Sequence, residues 1–119
     1  MKNVTVVDTT SKYIVKSTGI GSETDQKMIE PSKGEYGAEK LEGGNTDSKV
    51  SLIECYHLIE GTGTLKIGAE GESTDLSLTG KGKYGLRPGQ LKFGNDKQFT
   101  LTTDGNVTSY LLVTEFRRN

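Results

Sequence analysis

Two segments of the chain alternate with a period of two and are apolar on both alternating faces. In Val50 to Ile59, VSLIECYHLI, the residues Val50, Leu52, Tyr56 and Leu58 fall on one face and Ile53, Cys55 and Ile59 on the other. In Val107 to Arg117, VTSYLLVTEFR, the residues Tyr110, Leu112 and Phe116 oppose Val107, Leu111 and Val113. Successive side chains of a strand point to opposite sides, so the pattern predicts two central strands covered on both faces. Only 31% of the 119 residues are hydrophobic, 16 are glycine and none is tryptophan. That composition suits a thin two-layer β structure, or one completed by partner subunits, better than a thick α/β core. One domain over residues 1–119 is expected, burying roughly two-thirds of the surface its unfolded form exposes.

The remaining pieces fit the same class. SKYIVKST, around Tyr13 to Val15, reads as a β-branched strand ending at Gly19. Shorter alternating runs follow at TLKI (64–67), DLSL (75–78), QLKF (90–93) and FTLT (99–102), each bounded by glycine-rich turns. Asp104-Gly105 between FTLTT and VTSYLL predicts a two-residue hairpin of type I′, which needs positive φ at both central positions. Short strands at this spacing predict an all-β fold, a single-domain β-sandwich or jelly-roll-like barrel of short antiparallel strands. Helix signals are confined to Ser22 to Ile29, where Ser22 and Asp25 suggest a capping box and Pro31 limits the helix to about two turns. The polar, glycine-rich stretch 32–49 reads as a long exposed loop, and residues 1–10 as an extended N-terminal arm.

Charge and cysteine content exclude several function classes. Fifteen Lys and Arg against 16 Asp and Glu give a net charge of −1, without the basic excess expected of a nucleic-acid binder. The single cysteine, Cys55, forbids an intramolecular disulfide. The first 15 residues lack the apolar segment of a signal peptide, and no run approaches the ~18 apolar residues of a membrane span. A protein made in the cytoplasm and not bound to membranes is therefore expected. Cys55 and His57 share a strand face but stand ~6.5–7 Å apart by strand rise, too far for direct proton transfer, so a packed cysteine and a structural histidine are expected. With one His and one Cys, a metal would have to be held by carboxylates such as Glu54, Glu60, Glu70, Glu72 and Asp75, and no calcium-loop pattern supports that. No catalytic residue, cofactor or metal is expected.

The stretch GKGKYGLRPGQLKFGN, residues 80–95, contains a G-x-G-x-x-G match at Gly80, Gly82 and Gly85. A dinucleotide site needs a helix after those glycines, and Leu86-Arg87-Pro88-Gly89 forbids one. The stretch also carries Lys81, Lys83, Arg87 and Lys92 without an acid, interleaved with Tyr84 and Phe93. It reads as a solvated strand connection and, failing that, as a contact for a protein partner bearing acidic groups. Tyrosine and arginine dominate such contacts.

Two resemblances extend this reading. ECYHLIEGTGTLKIG and GKYGLRPGQLKFGN resemble the two motifs of cupins, with Glu54 and Pro88 at matching places. The histidines of those motifs would fall at Ser48, Val50 and Lys92 or Phe93, so the resemblance implies at most a metal-free barrel binding a small molecule such as a sugar. The second covers nearly the whole chain. TTSKYIVKSTGIGSE, KVSLIECYHLIEGTGTLKI, TDLSLTGKGKYG and VTSYLLVTEFRRN resemble small all-β structural proteins of tailed bacteriophages. That resemblance implies a virion protein of the phage head surface, a capsid decoration (cement) protein that binds the major capsid protein. A tail or connector protein of the same particle has the same sequence signature. It also implies a homo-oligomer, such as a trimer, whose copies gain by avidity. The expected contact residues are Val4, Val6, Lys12 and Tyr13 near the N-terminus, and Tyr84, Arg87 and Phe93 in the basic stretch. Removing residues 1–10 is expected to weaken capsid association and leave the β fold intact.

Overall fold

The computed structural model describes residues 1–8, 12–29, 50–69, 75–85, 93–95 and 99–118. The described residues form ten strands: β1 (Lys2–Asp8), β2 (Lys12–Ile20), β3 (Glu23–Ile29), β4 (Val50–Gly61), β5 (Leu65–Ala69), β6 (Leu76–Leu78), β7 (Lys81–Gly85), β8 (Phe93–Asn95), β9 (Phe99–Thr103) and β10 (Val107–Arg118). They pair antiparallel into two sheets. The larger runs β1-β2-β10-β4-β7, with β8 also on β4, and the smaller runs β3-β9-β5-β6. The fold is an all-β sandwich.

The core lies between the sheets. β2, β4 and β10 contribute Tyr13, Val15, Leu52, Cys55, Ile59, Tyr110, Leu112 and Phe116, and the smaller sheet answers with Met28, Leu65, Ile67, Phe99 and Leu101. Phe116 is its centre, with Phe99 edge-on at 5.1 Å between ring centroids and Tyr13 stacked at 6.5 Å. The alternating strand β9, with Phe99, Leu101 and Thr103 buried and Thr100 and Thr102 between them, shows the usual half-buried pattern.

Four sequence expectations are corrected. Ser22 to Ile29 is not helical: Glu23 to Ile29 is strand β3, because pairing with β9 satisfies its backbone and places Met28 in the core. Asp25 interrupts the β3–β9 ladder with a positive φ of 48°. Asp104-Gly105 is not a hairpin, because β9 and β10 belong to different sheets. Neither residue there has positive φ. Instead the Asp104 carboxylate accepts the backbone N–H groups of Asn106 and Thr64, and this turns the chain from one sheet to the other. Those two bonds hold the Asp104 carboxyl below its ordinary pKa.

The N-terminal segment, third, is not a free arm. Residues 2–8 form the edge strand β1 on β2, with a bulge between Thr5 and Val7. Ser17 donates to the Asn3 side-chain oxygen at 2.6 Å, Asn3 donates to the carbonyl of Lys27 at 3.1 Å, and the hydroxyls of Thr5 and Tyr13 lie 3.1 Å apart. The Lys27 bond crosses to β3, so β1 ties the two sheets together along one side. On the same side Glu23 accepts from the Met1 amino group and from the Tyr110 hydroxyl.

Finally, β4 is central in its sheet but is not covered on both faces. Tyr56 and Leu58 are 51% and 41% exposed. Leu52 and Cys55 are both buried although a strict alternation puts them on opposite faces. A bulge at Ile53, where the β10 register jumps from Glu54 to Leu52, changes the phase between them. The long 32–49 stretch, residues 9 and 10 of the expected arm, Arg87 and Pro88 lie outside the described residues.

Candidate functional site

Antiparallel partners put their side chains on one face, so register alone maps the outer surface of the larger sheet. One row crosses five strands as Val4, Lys16, Val113, Tyr56 and Lys83. The next runs Lys2, Thr18, Leu111, Leu58 and Lys81. A third runs Val7, Ile14, Glu115 and Glu54. Val113, Leu111, Tyr56 and Leu58 adjoin on β10 and β4 as an apolar patch, with lysines to either side in the same rows and the acids Glu115 and Glu54 in the next. The smaller sheet differs: its outward residues are Thr100, Thr102, Lys66 and Ser77, the polar face an antiparallel sheet ordinarily turns to water.

The acids of this face are held by neighbouring cations. Lys83 sits 2.7 Å from Glu54 and 4.9 Å above the Tyr56 ring, and Arg117 bonds Glu115. Glu54 and Glu115 oppose one another in register, an arrangement that repels unless each carboxylate has its own cation. The Glu54 hydrogen bond raises the pKa of Lys83, keeping it charged. Lys2, Lys16 and Lys81 are exposed and show no ion pair to another described residue.

Between the rows, at the β7 edge, lies an open hollow of about 360 Å³. Tyr56, Leu58 and Leu111 make its apolar surface, and Lys81 and Lys83 stand at its rim. Gly82 between the two lysines belongs to the opposite, inward phase, where a Cβ would press on the His57 ring at 3.0 Å from Nε2. The His57 Nδ1 in turn lies 3.0 Å from the Gly80 carbonyl. The histidine thus braces the β4–β7 pairing from the inner side.

The residues expected as contacts divide. Val4 and Val6 are 47% and 56% exposed, and Lys12 stands opposite Arg117 at the outer margin. Tyr13 is corrected: it is 1% exposed, an inward side chain stacked on Phe116. Tyr84 likewise pairs with Cys55 in the inward phase and packs against the core, where burial raises its pKa. Phe93 pairs with Leu52 in β8, its side chain lying outside the described residues along with all of Arg87. Tyr56, Leu58 and Leu111 were missed because an apolar residue on a two-sided apolar strand reads as core. The signal that finds them is the pairing with Lys81 and Lys83 on the neighbouring strand.

The described residues hold no group of three His, Cys, Asp or Glu side chains placed to share a metal ion. Cys55 is fully buried, its Sγ 3.5 Å from the Thr114 hydroxyl, and burial pushes its thiol up to about 11 despite that bond. A thiol so placed stays protonated and out of reach. The inward faces of β4 and β10 face the apolar Met28, Ile67, Phe99 and Leu101, and the polar groups among them, Thr103, Thr114 and the Tyr110 hydroxyl, are hydrogen-bonded. Comparison with protein-family models, with curated proteins and with solved structures gave no match in any of the three.

Proposed function

We propose that this chain is a non-enzymatic structural protein of a phage virion, a capsid decoration protein that docks on the major capsid protein and stabilises the head. The observation that carries the reading is the outer face of the six-stranded sheet. Its central residues Tyr56, Leu58, Leu111 and Val113 are apolar, while the opposite surface of the sandwich is polar. A contiguous apolar surface rimmed by charge is the form a protein-docking site takes. The sequence resemblance to small phage structural proteins supplies the identity of the partner.

A decoration protein adds interface that must be broken before neighbouring capsid subunits separate. Sheet rigidity suits that work, because a face built on five paired strands presents its side chains with little ordering left to lose on binding. A modest area per copy is offset by many copies, and a homo-oligomer would bring several faces to the shell at once.

The test is co-sedimentation of the purified protein with assembled capsids. Pelleting at a fixed stoichiometry to the major capsid protein is the expected result. Failure to pellet with capsids at any concentration overturns the reading.

A further inference from the structure

We infer that the hollow beside Tyr56 and Leu58 takes a single large apolar side chain from an acidic segment of the partner. The inference rests on the docking reading above and specifies its chemistry.

The hollow explains itself from the sequence of β7. Lys81 and Lys83 project outward and Gly82 projects inward without a side chain, so two long stems stand apart with only backbone between them. Leu58 and Tyr56, their register partners on β4, supply the adjoining wall, and Leu111 of β10 closes the far side. β7 is the last strand on its side in the described sheet path, so the hollow opens laterally as well as outward.

Its volume of about 360 Å³ has room for roughly a dozen waters at the ~30 Å³ each occupies in the liquid. Those waters face the Tyr56 ring and the Leu58 and Leu111 methyls, which offer no hydrogen bonds. Displacing such poorly held water with an apolar group favours binding. The rim selects what surrounds that group. Among the exposed cations of this face, Lys2, Lys16 and Lys81 lack an ion pair to a described residue, whereas Glu54 and Glu115 are neutralised by Lys83 and Arg117. Carboxylates flanking the inserted side chain would meet the Lys81 ammonium, which has no ion pair to a described residue, with the Lys83 ammonium beside it, and this complementarity speeds encounter and fixes register.

The same charges decide against two other occupants. A second copy docking through this face would oppose lysine to lysine around the hollow. A nucleic acid would need a continuous track of cations for its phosphates, and the apolar patch separates the lysines of this face.

The experiment uses the full chain and four probes: a short synthetic peptide with one leucine between pairs of glutamates, its alanine-centred form, its lysine-flanked form, and a double-stranded DNA oligonucleotide. The readout is the set of backbone amide shifts at residues 56–58, 81–83 and 111. The leucine peptide with glutamate flanks is expected to move those signals and the other three to leave them in place. Lys81→Glu, an exposed change that leaves the core untouched, is expected to weaken the response about tenfold, because reversal both removes an attraction for the glutamates and adds a repulsion. Leu58→Glu should abolish it, with an unchanged thermal midpoint showing that the sandwich persists. No shift with the acidic peptide, or equal shifts with the lysine-flanked peptide or the DNA, overturns the inference. Capsids separate its failure from that of the virion reading. If wild type and Lys81→Glu pellet equally, the docking role stands and the hollow is not its site. Peptide binding without any capsid pelleting leaves the hollow and removes the virion role.

Discussion

At the scale of single residues, the side chain most misleading in the sequence is Cys55. It shares its strand face with His57, a pairing that invites a catalytic reading, yet its Sγ meets the Thr114 hydroxyl in a dry interior. Burial raises the thiol from an ordinary 9.0 to about 11, outweighing the opposing Thr114 bond. A raised folded-state pKa means that the folded protein holds its proton where the unfolded chain has released it. The associated stability is full below pH 9 and is lost as pH rises through 11, in all on the order of 2–3 kcal/mol. Tyr110, buried and bonded to Glu23, is raised as well and adds a loss that begins near pH 10. The two are separable. Between pH 8 and pH 10, the unfolding free energy obtained from urea titration should fall in the wild type by about 1 kcal/mol more than in Cys55→Ala, since only the thiol distinguishes the two chains. Equal losses would show that the thiol titrates alike folded and unfolded.

At the scale of elements, β7 and β4 meet under a tight constraint. Gly85 has a φ of 120°, and a Cβ there would run into the carbonyl oxygen of Ile53, the residue that bulges out of the β4–β10 ladder. Bulge and glycine therefore form one device: the extra residue pushes its carbonyl toward β7, and only a residue without a side chain can pair beside it. Gly85→Ala should cost ~2–3 kcal/mol and speed hydrogen exchange at residues 81–83, from strain and collision together. Gly80→Ala is the control. Its φ of 61° is also left-handed but nothing lies within 4 Å of its Cβ, so ~1 kcal/mol is expected from the backbone alone. Equal costs at the two sites would remove the packing argument. This bulge also marks where the sequence stopped being legible. Period two identified β2, β4, β5, β6, β9 and β10, because their alternation is strong enough to survive without context. It placed Leu52 opposite Cys55, because a one-residue phase change leaves no trace in the pattern itself. SETDQKMI carried a capping signal that pairing with β9 overrode, since Met28 finds its core place only from an extended backbone. The candidate site was half visible. Lys81 and Lys83 stand out as an acid-free basic run, whereas Tyr56 and Leu58 become surface residues only once it is known that no layer of described residues covers their side of β4.

At the scale of the whole molecule, the sandwich has two ends of unlike character, and they predict separable losses. On the β1 side, the sheets are stitched by polar contacts: Asn3 bridges Ser17 of the larger sheet and the Lys27 carbonyl of the smaller, and the Met1 amino group bonds Glu23 of the smaller. On the β7 side, the outer face carries the apolar hollow with its lysine rim. β2, β10 and β4 lie between them. Removing residues 1–8 strips a full edge ladder from β2 and leaves the buried Ser17 hydroxyl without its Asn3 partner. An orphaned buried polar group costs about 1–3 kcal/mol and the lost ladder adds to it, so the loss should be at least ~2 kcal/mol and lower the thermal midpoint by roughly 5–10 °C. This reverses the expectation drawn from the sequence, in which the segment was a dispensable arm whose loss would be felt in capsid binding. The hollow, three strands away, loses only the distant Lys2 from its surroundings. Well below the lowered midpoint, the shortened chain should therefore bind capsids within about twofold of wild type, because exposed charges farther apart than the ~8–10 Å screening length contribute little. Isothermal pelleting at 10 °C beside a thermal melt tests both halves. A shortened chain that keeps its melting point but no longer pellets would return the contact surface to the N-terminal strand and take it away from β7.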